Sequence, residues 1–140
     1  MATTPNNYLA LDVGEKRIGV ALASSVARLP RPLITLDAGG AVRPQLEQII
    51  SDESVGVLVV GLPRGLDGQE TGQTAAVRAF VANLETLGLP IYLQDEALTS
   101  VKAKAELESR GGSYVKADVD ALAATYILED YLNNPANEAA

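Results

Sequence analysis

Three acidic residues lie in or beside apolar segments, where a charged side chain requires a structural or chemical explanation. Asp12 ends a nearly continuous apolar run, Glu96 follows a short apolar segment, and Asp120 lies near the start of a stretch with helical spacing. A buried carboxylate is costly unless a cation or hydrogen bonds meet it. Oxygen-only ligands select Mg²⁺ or Mn²⁺. We therefore predict a divalent-metal site at these acids, where two ions about 4 Å apart could support phosphodiester cleavage.

The composition excludes most other catalytic chemistry. The 140 residues include no cysteine and no histidine, so thiolate nucleophiles, cysteine-ligated zinc and the commonest general base are absent. An enzyme with this composition must use carboxylates, lysines, hydroxyls or an oxygen-bound metal. The net charge of −7 argues against non-specific wrapping of nucleic acid. It is compatible with a nuclease, because a cluster of metal-binding acids is itself acidic.

Asp12 and Glu96 each have a structural alternative. Asp12 could cap the tight turn that follows it through local backbone hydrogen bonds. Glu96 has a neighbour, Asp95, and either acid could simply favour the next helix through the helix dipole. These alternatives stay open when each residue is considered alone.

Asp120 competes with Asp118 for the same kind of role. Either acid could complement the dipole at the start of the last helix, and Asp118 could be its cap. Asp120 shares one helical face with Ala124, Ile127 and Tyr131, which have core-like side chains. We therefore favour Asp120, which points inward from the start of this stripe.

The elements that must position these acids can be read from the apolar pattern. Strands are predicted at 8–13, 18–23, 31–37, 55–60 and 91–93, and helices at about 41–53, around 77–87, from Thr99 or Ser100 to 110, and at about 118–132. Between them, the glycine-rich loop 61–68 either offers backbone N–H groups to phosphate or is a plain turn.

An opening antiparallel hairpin followed by alternating helices and strands predicts an α/β fold. We expect a mixed five-stranded sheet flanked by helices, in a single domain at 8–132 between flexible ends at 1–7 and 133–140. In such sheets ligands sit outside the carboxyl ends of the strands, where Asp12 and Glu96 lie.

Four segments of the sequence resemble the YqgF/RuvX family and together cover nearly the whole chain. They are Tyr8–Gly14 with Arg17–Ala21; Val60–Pro63 with Asp67, Gly68, Thr74, Arg78 and Phe80; Asp95 and Glu96 with Leu98–Ser100; and Lys116 with Val119, Asp120, Ala123, Ala124, Ile127, Leu128, Tyr131 and Leu132. The resemblance implies an RNase H-like fold and a nuclease that matures the 5′ end of the 16S ribosomal RNA precursor. It also implies that Asp12, Glu96 and Asp120 are the metal-binding acids.

One position departs from the family pattern. The family usually has arginine after the glutamate, and this chain has Ala97. Alanine can neither bind a phosphate bidentately nor orient the glutamate. Lys102, Lys104 or Arg64 could replace that arginine.

Several basic residues are predicted to contact nucleic acid. If they converge around the acids, they form a local basic rim on an acidic body; the alternative is a set of ordinary solvated charges. Lys116 is the best candidate, because it precedes the helix that carries Asp120. The predicted set is Lys16, Arg17, Arg64, Lys102 and Lys116.

The main prediction is a cytoplasmic nuclease that uses Mg²⁺ or Mn²⁺, as two ions, on pre-16S rRNA or a pre-ribosomal particle. The N-terminus lacks the features of a signal peptide, and no apolar stretch approaches the roughly 18–20 residues of a membrane span. One alternative is a Holliday-junction resolvase acting on branched DNA. Others are a non-catalytic RNA- or ribosome-binding module and an ATP-dependent phosphotransferase of the actin and sugar-kinase type, for which the chain is too short.

Overall fold

In the computed structural model, which describes residues 6–96 and 99–134, a mixed five-stranded sheet is flanked by helices, as the sequence predicts. The strand order is β3-β2-β1-β4-β5, with β1, β4 and β5 parallel and β2 antiparallel to both of its neighbours. The elements are β1 (Asn7–Val13), β2 (Arg17–Ala23), β3 (Arg31–Asp37), α1 (Val42–Asp52), β4 (Val55–Pro63), α2 (Gly72–Leu84), a 3₁₀ turn (Glu85–Leu87), β5 (Ile91–Glu96), α3 (Thr99–Arg110) and α4 (Lys116–Asn133).

The two faces of the sheet carry side chains of different size. Large aliphatic residues such as Leu9, Leu11 and Leu58 fill one face and pack against α1 and α2. The other face carries small residues, among them Ala10 and Ala21, and packs against α4. Because side chains alternate along a strand, one sequence serves both faces. The small residues let α4 lie close to the sheet.

Two strands are longer than the sequence pattern indicates. β4 continues through Pro63 and β5 through Glu96, because these segments pair in register, with Gly61 opposite Gln94 and Pro63 opposite Glu96. Gly61 and Pro63 in β4 and the polar residues 94–96 in β5 gave no strand signal, because the pairing is a tertiary property. Glu96 is therefore held by the sheet itself.

The last helix begins two residues earlier than predicted. Its N-cap is Val115, whose backbone N–H donates to Asp118 Oδ2 at 3.0 Å. Asp118 thus occupies the third helical position and bonds back to the cap, as in a capping box. This contact fixes where α4 starts.

Some predictions concern residues outside the described part of the chain. Ala97 and the segments 1–5 and 135–140 are among these, while Asn7 already belongs to β1 and Asn133 to α4. Within residues 6–96 and 99–134, the structure has no helix with the length and apolar character of a membrane span.

Candidate metal centre

Two glycines make room around Asp12 on the face that α4 covers. Gly19 is directly opposite Asp12 in the β1–β2 hairpin, and Gly61 is on β4, the parallel neighbour of β1. A Cβ atom at Gly19 would lie 1.9 Å from the carbonyl oxygen of Asp120, and one at Gly61 would lie 3.0 Å from Glu96 Oε2. The missing side chains therefore let both acids approach Asp12.

The hairpin sets the direction of the Asp12 side chain. Gly14 N–H donates to the carbonyl oxygen of Arg17 at 2.9 Å, which closes the turn. Asp12 is one residue before the end of β1 and alternates with Leu11, which is fully buried on the opposite face. Asp12 therefore points to the α4 face with its carboxyl half-buried.

The electrostatics of Asp12 reflect this crowding. Burial, followed by the negative charges of Glu96 and Asp120, raises the pKa of Asp12 from 3.8 to about 7. Both effects disfavour the ionised carboxylate. Glu96 and Asp120 thus lie close enough to repel Asp12, and a nearby positive charge would relieve that repulsion.

The guanidinium of Arg17 already lies beside one of these acids, Asp120. Arg17 Nε donates to Asp120 Oδ2 at 2.6 Å, in a salt bridge whose carboxylate side is only 20% exposed. In the part of the chain that the structure describes, no three acidic side chains are arranged as a ready-made metal cluster. The carboxylate of Asp120 is instead directed to the guanidinium of Arg17.

The residues present nonetheless fit a divalent cation. The donor set consists of carboxylates alone, which suits hard ions such as Mg²⁺ or Mn²⁺. The raised pKa of Asp12 reports negative charge that burial leaves incompletely compensated. Asp12, Glu96 and Asp120 are the residues that could hold the ion, with Arg17 as the resident positive charge.

The neighbouring acids have different surroundings. The Asp95 side chain is 68% exposed and accepts from Arg64 Nε at 3.0 Å. Asp118 is exposed and caps α4 through its contact with Val115. The structure therefore separates Glu96 from Asp95 and Asp120 from Asp118, and it directs only Glu96 and Asp120 toward Asp12.

The predicted nucleic-acid contacts divide into two groups. Lys16 and Arg17 line a depression of about 460 Å³ beside Asp120, and Lys116 lines a second one that Arg17 and Asp120 also border. Arg64 is instead engaged with Asp95 and, at 3.7 Å, with Glu70. Lys102 lies with its Nζ 4.4 Å from the centre of the Tyr126 ring.

The glycine-rich loop after β4 is an internally bonded turn. Gly65 N–H donates to the carbonyl of Gln69 at 2.8 Å, and Gly68 N–H donates to that of Gly65 at 2.9 Å. Thr74 Oγ1 donates to the carbonyl oxygen of Pro63 at 2.5 Å, which fixes the loop to the start of α2. These N–H groups are used within the turn, so the phosphate-binding alternative for this loop is not supported.

Sequence reasoning missed the role of Gly19 and Gly61. A glycine inside a strand is a signal of close backbone approach, but the partner of Gly19 is 101 positions away in the sequence. Lys104 is one of the basic residues that could replace the family's arginine or join a basic rim around the acids. It proves to line the depression that also contains Lys116.

Comparison with known proteins identifies relatives along almost the full chain. The family model described as RuvX, Holliday junction resolvase, matches residues 6–134. A protein of Chloroflexus aurantiacus named "Putative pre-16S rRNA nuclease" is 40% identical over 130 residues, covering 89% of this chain and 85% of its own length. One of Maridesulfovibrio salexigens with the same name is 39% identical, covering 89% and 96%.

Solved structures support the fold. RuvC of T. thermophilus in complex with a Holliday junction substrate superimposes with a TM-score of 0.56 at 12% identity, covering 96% of this chain and 99% of RuvC. A second Thermus thermophilus RuvC structure gives a TM-score of 0.51 at 13% identity. At this identity the likeness establishes the RNase H-like fold alone, which confirms the predicted fold class.

Proposed function

The chain belongs to the RuvX family, and on that premise we propose that it is a divalent-metal-dependent nuclease that cleaves precursor 16S ribosomal RNA. Relatives that share about two fifths of its residues carry the name "Putative pre-16S rRNA nuclease". Maturation of the 5′ end of this RNA is the step that the family resemblance implies. The proposal puts the protein in the cytoplasm, with precursor RNA or a pre-ribosomal particle as its partner.

The observation that supports this proposal most is the raised pKa of Asp12. Its causes are burial and the charges of Glu96 and Asp120, and perturbed acids of this kind concentrate at functional sites. Asp12, Glu96 and Asp120 would hold Mg²⁺ or Mn²⁺, as a pair of ions. Bound ions of this kind activate water and stabilise the leaving oxygen of a phosphodiester.

The protein's own groups would do the remaining work. Asp12 must lose its proton to act as a ligand, so binding of the cation competes with a proton held with a pKa of about 7. Arg17 neutralises Asp120 in the absence of a ligand. Once released from Asp120, its planar guanidinium can hold a phosphate by two parallel hydrogen bonds.

A second candidate is cleavage of branched DNA. The family description names Holliday junction resolvases, and the fold is that of RuvC. The same acids would serve, because phosphodiester hydrolysis is common to both substrates. The two functions differ in the nucleic acid that must be held beside the acids.

The proposal is tested by cleavage of a labelled RNA that spans the 5′ end of 16S rRNA, with Mg²⁺ or Mn²⁺. We expect cleavage by the wild type and a loss of at least about 100-fold in Asp12→Asn and Glu96→Gln, since each removes a proposed ligand. A labelled four-way DNA junction is assayed in parallel. Preferential cleavage of the junction would replace the RNA proposal with resolution of branched DNA.

The chain supplies matched controls for the acids. Asp95→Asn changes the residue next to Glu96, and Asp118→Asn changes the other acid at the start of α4. Both side chains are exposed, so we expect rates within about threefold of the wild type. Equal activity of the wild type and Asp12→Asn would refute the proposed site, and RNA binding without metal-dependent cleavage would favour a non-catalytic module.

A further inference from the structure

A groove of about 820 Å³ runs between α3 and the start of α4 and ends at the Arg17–Asp120 pair. The chain turns from α3 to α4 through Gly111 and Gly112, which have φ angles of 72° and 79°. This left-handed link is favourable for glycine. It sets the exposed flank of α3 opposite the first turn of α4 and creates the groove.

The walls of the groove are basic although the protein is acidic. Lys104 and Lys116 line it together with Arg17, whereas the whole chain has a net charge of −7. Within residues 6–96 and 99–134 neither lysine forms a salt bridge. A local excess of positive charge next to the acids suits a polyanion.

The floor of the groove is apolar and aromatic. Val101 and Val115 are 63% and 64% exposed and line the groove together, so they form a shared apolar surface. Tyr114 joins them, and its hydroxyl donates to Glu108 Oε1 at 2.9 Å, which restrains the ring. Phosphates gain nothing from such a floor, but the faces of nucleobases do.

The apolar floor distinguishes between single and double strands. A duplex turns its phosphates outward and keeps its bases stacked inside, so it presents only charge to the two lysines. An unpaired strand can place bases on Tyr114 and the valines while its phosphates meet Lys104 and Lys116. The depression beside Lys16 is also lined by Arg17 and Asp120, so it borders the same end of the groove.

We propose that the α3–α4 groove binds unpaired nucleotides of the RNA substrate and delivers the strand to the acids in single-stranded form. This inference rests on the proposed function, which it deepens by naming the state of the substrate. The lysines neutralise phosphates, Tyr114 stacks with a base, and the Arg17–Asp120 pair marks the end where the strand reaches the acids.

The test measures binding without cleavage. Fluorescence anisotropy in EDTA compares a labelled single-stranded RNA with the same sequence in a blunt duplex, over a range of salt concentrations. We expect the wild type to prefer the single strand by at least about fivefold. Lys104→Ala/Lys116→Ala should weaken single-strand binding by about tenfold or more and reduce the salt slope by about 1.4, which corresponds to two lost phosphate contacts.

A second double variant controls for loss of charge alone. Arg31→Ala/Arg43→Ala removes two positive charges from β3 and α1, outside both depressions beside the acids, and should leave affinity and salt slope unchanged. Tyr114→Ala should reduce the preference for single strands without changing the slope, because it removes stacking and no charge. Circular dichroism verifies that each variant is folded.

The outcomes separate the groove from the nuclease. The inference is overturned if the wild type binds no RNA in EDTA or binds the duplex at least as tightly as the single strand. It is also overturned if the two double variants change single-strand binding equally. Should the groove variants alone lose RNA binding while the wild type never cleaves with Mg²⁺ or Mn²⁺, the groove stands and the proposed nuclease falls. If the wild type cleaves RNA and the groove variants retain that cleavage in full, the proposed nuclease stands and the proposed role of the groove falls.

Discussion

The two faces of the central sheet show how one set of strands can serve stability on one side and chemistry on the other. Leu9, Leu58 and Val60 on the α1–α2 face are large and fully buried, and their neighbours form the larger core cluster. On the α4 face β1 and β2 carry Ala10, Gly19 and Ala21 beside larger residues of other strands, and the acids lie at its end. Large side chains keep helices at a distance, whereas small ones allow a helix backbone to approach.

The difference between the faces teaches where precise geometry is needed. On the α1–α2 face stability depends on the total volume of the apolar side chains, because many dispersed contacts tolerate small shifts of the helices. On the α4 face the backbone of α4 lies directly over Gly19, so the position of Asp120 depends on the distance between a helix and a strand.

The largest effect is expected from Gly19→Ala. The added Cβ would lie 1.9 Å from the carbonyl oxygen of Asp120 and 2.3 Å from its carbonyl carbon. Both atoms are backbone, so α4 must move. We expect a loss of about 3 kcal/mol or more in the free energy of unfolding, with metal-dependent cleavage lost even where the protein is still folded, as measured by urea denaturation and the RNA assay.

Leu22→Ala is the matched change on the opposite face of the same strand. Leu22 is buried in the larger core cluster, and its truncation should cost about 2–5 kcal/mol. We expect the cleavage rate per folded molecule to remain that of the wild type. Wild-type stability and activity in Gly19→Ala would show that α4 does not depend on this close approach, and the contrast between the faces would fail.

An intermediate effect is expected from pH and Asp12. In the unfolded chain the carboxyl ionises near 3.8, and in the folded protein its pKa is about 7. Between these values the folded state binds more protons, so this group's contribution to stability is full below about pH 4 and is lost as pH rises to 7. The shift is worth about 4 kcal/mol at most, and solvent around the half-buried group reduces this to about 1–3 kcal/mol.

Asp12→Asn should therefore be more stable than the wild type by about 1–3 kcal/mol at pH 8 in the absence of metal, and by less near pH 5. Urea denaturation at the two pH values measures this. The exposed residue Asp130 provides the control, since Asp130→Asn should show no such difference. A wild type that gains stability between pH 5 and 8 relative to Asp12→Asn would contradict the proposed repulsion among the acids.

The smallest effect is expected from Arg17→Gln. The salt bridge to Asp120 is partly exposed, so its loss should change stability by no more than about 1 kcal/mol. A cation would then bind without displacing the guanidinium, and we expect Mn²⁺ affinity measured by calorimetry to rise about two- to fivefold. Arg31 pairs with Glu53, away from the acids, so Arg31→Gln should leave the Mn²⁺ affinity unchanged. Weaker Mn²⁺ binding in Arg17→Gln would contradict the prediction and mean that Arg17 supports the ion.

The strands and helices could be predicted well from the sequence, and the burial of the stripe that follows Asp120 could be predicted too, for a local reason. Asp12 interrupts an apolar run, and the stripe formed by Asp120, Ala124 and Ile127 has helical spacing, so both signals lie within a few neighbouring residues. The structure accordingly finds Ala124 and Ile127 fully buried. The preference for Asp120 over Asp118 depended on this periodicity.

The features of the fold and the candidate site that could not be predicted depend on contacts between distant segments of the sequence. The extension of β5 to Glu96 arises from pairing with β4, and the need for glycine at position 19 arises from a helix near the other end of the chain. The salt bridge between Arg17 and Asp120 joins residues 103 positions apart. Local pattern carries no information on such partners.

The placement of α4 has a consequence for the order in which the protein is made. Asp12 leaves the ribosome early as part of the hairpin, but Asp120 follows only with the last helix. A chain still in synthesis would have its hairpin and most of its sheet, yet the α4 face, with Ala10, Ala21 and Val59, would be open to water. Asp120 would join the other two acids only when α4 docks, so under the proposed function the emerging chain would not cut RNA before its last helix has emerged.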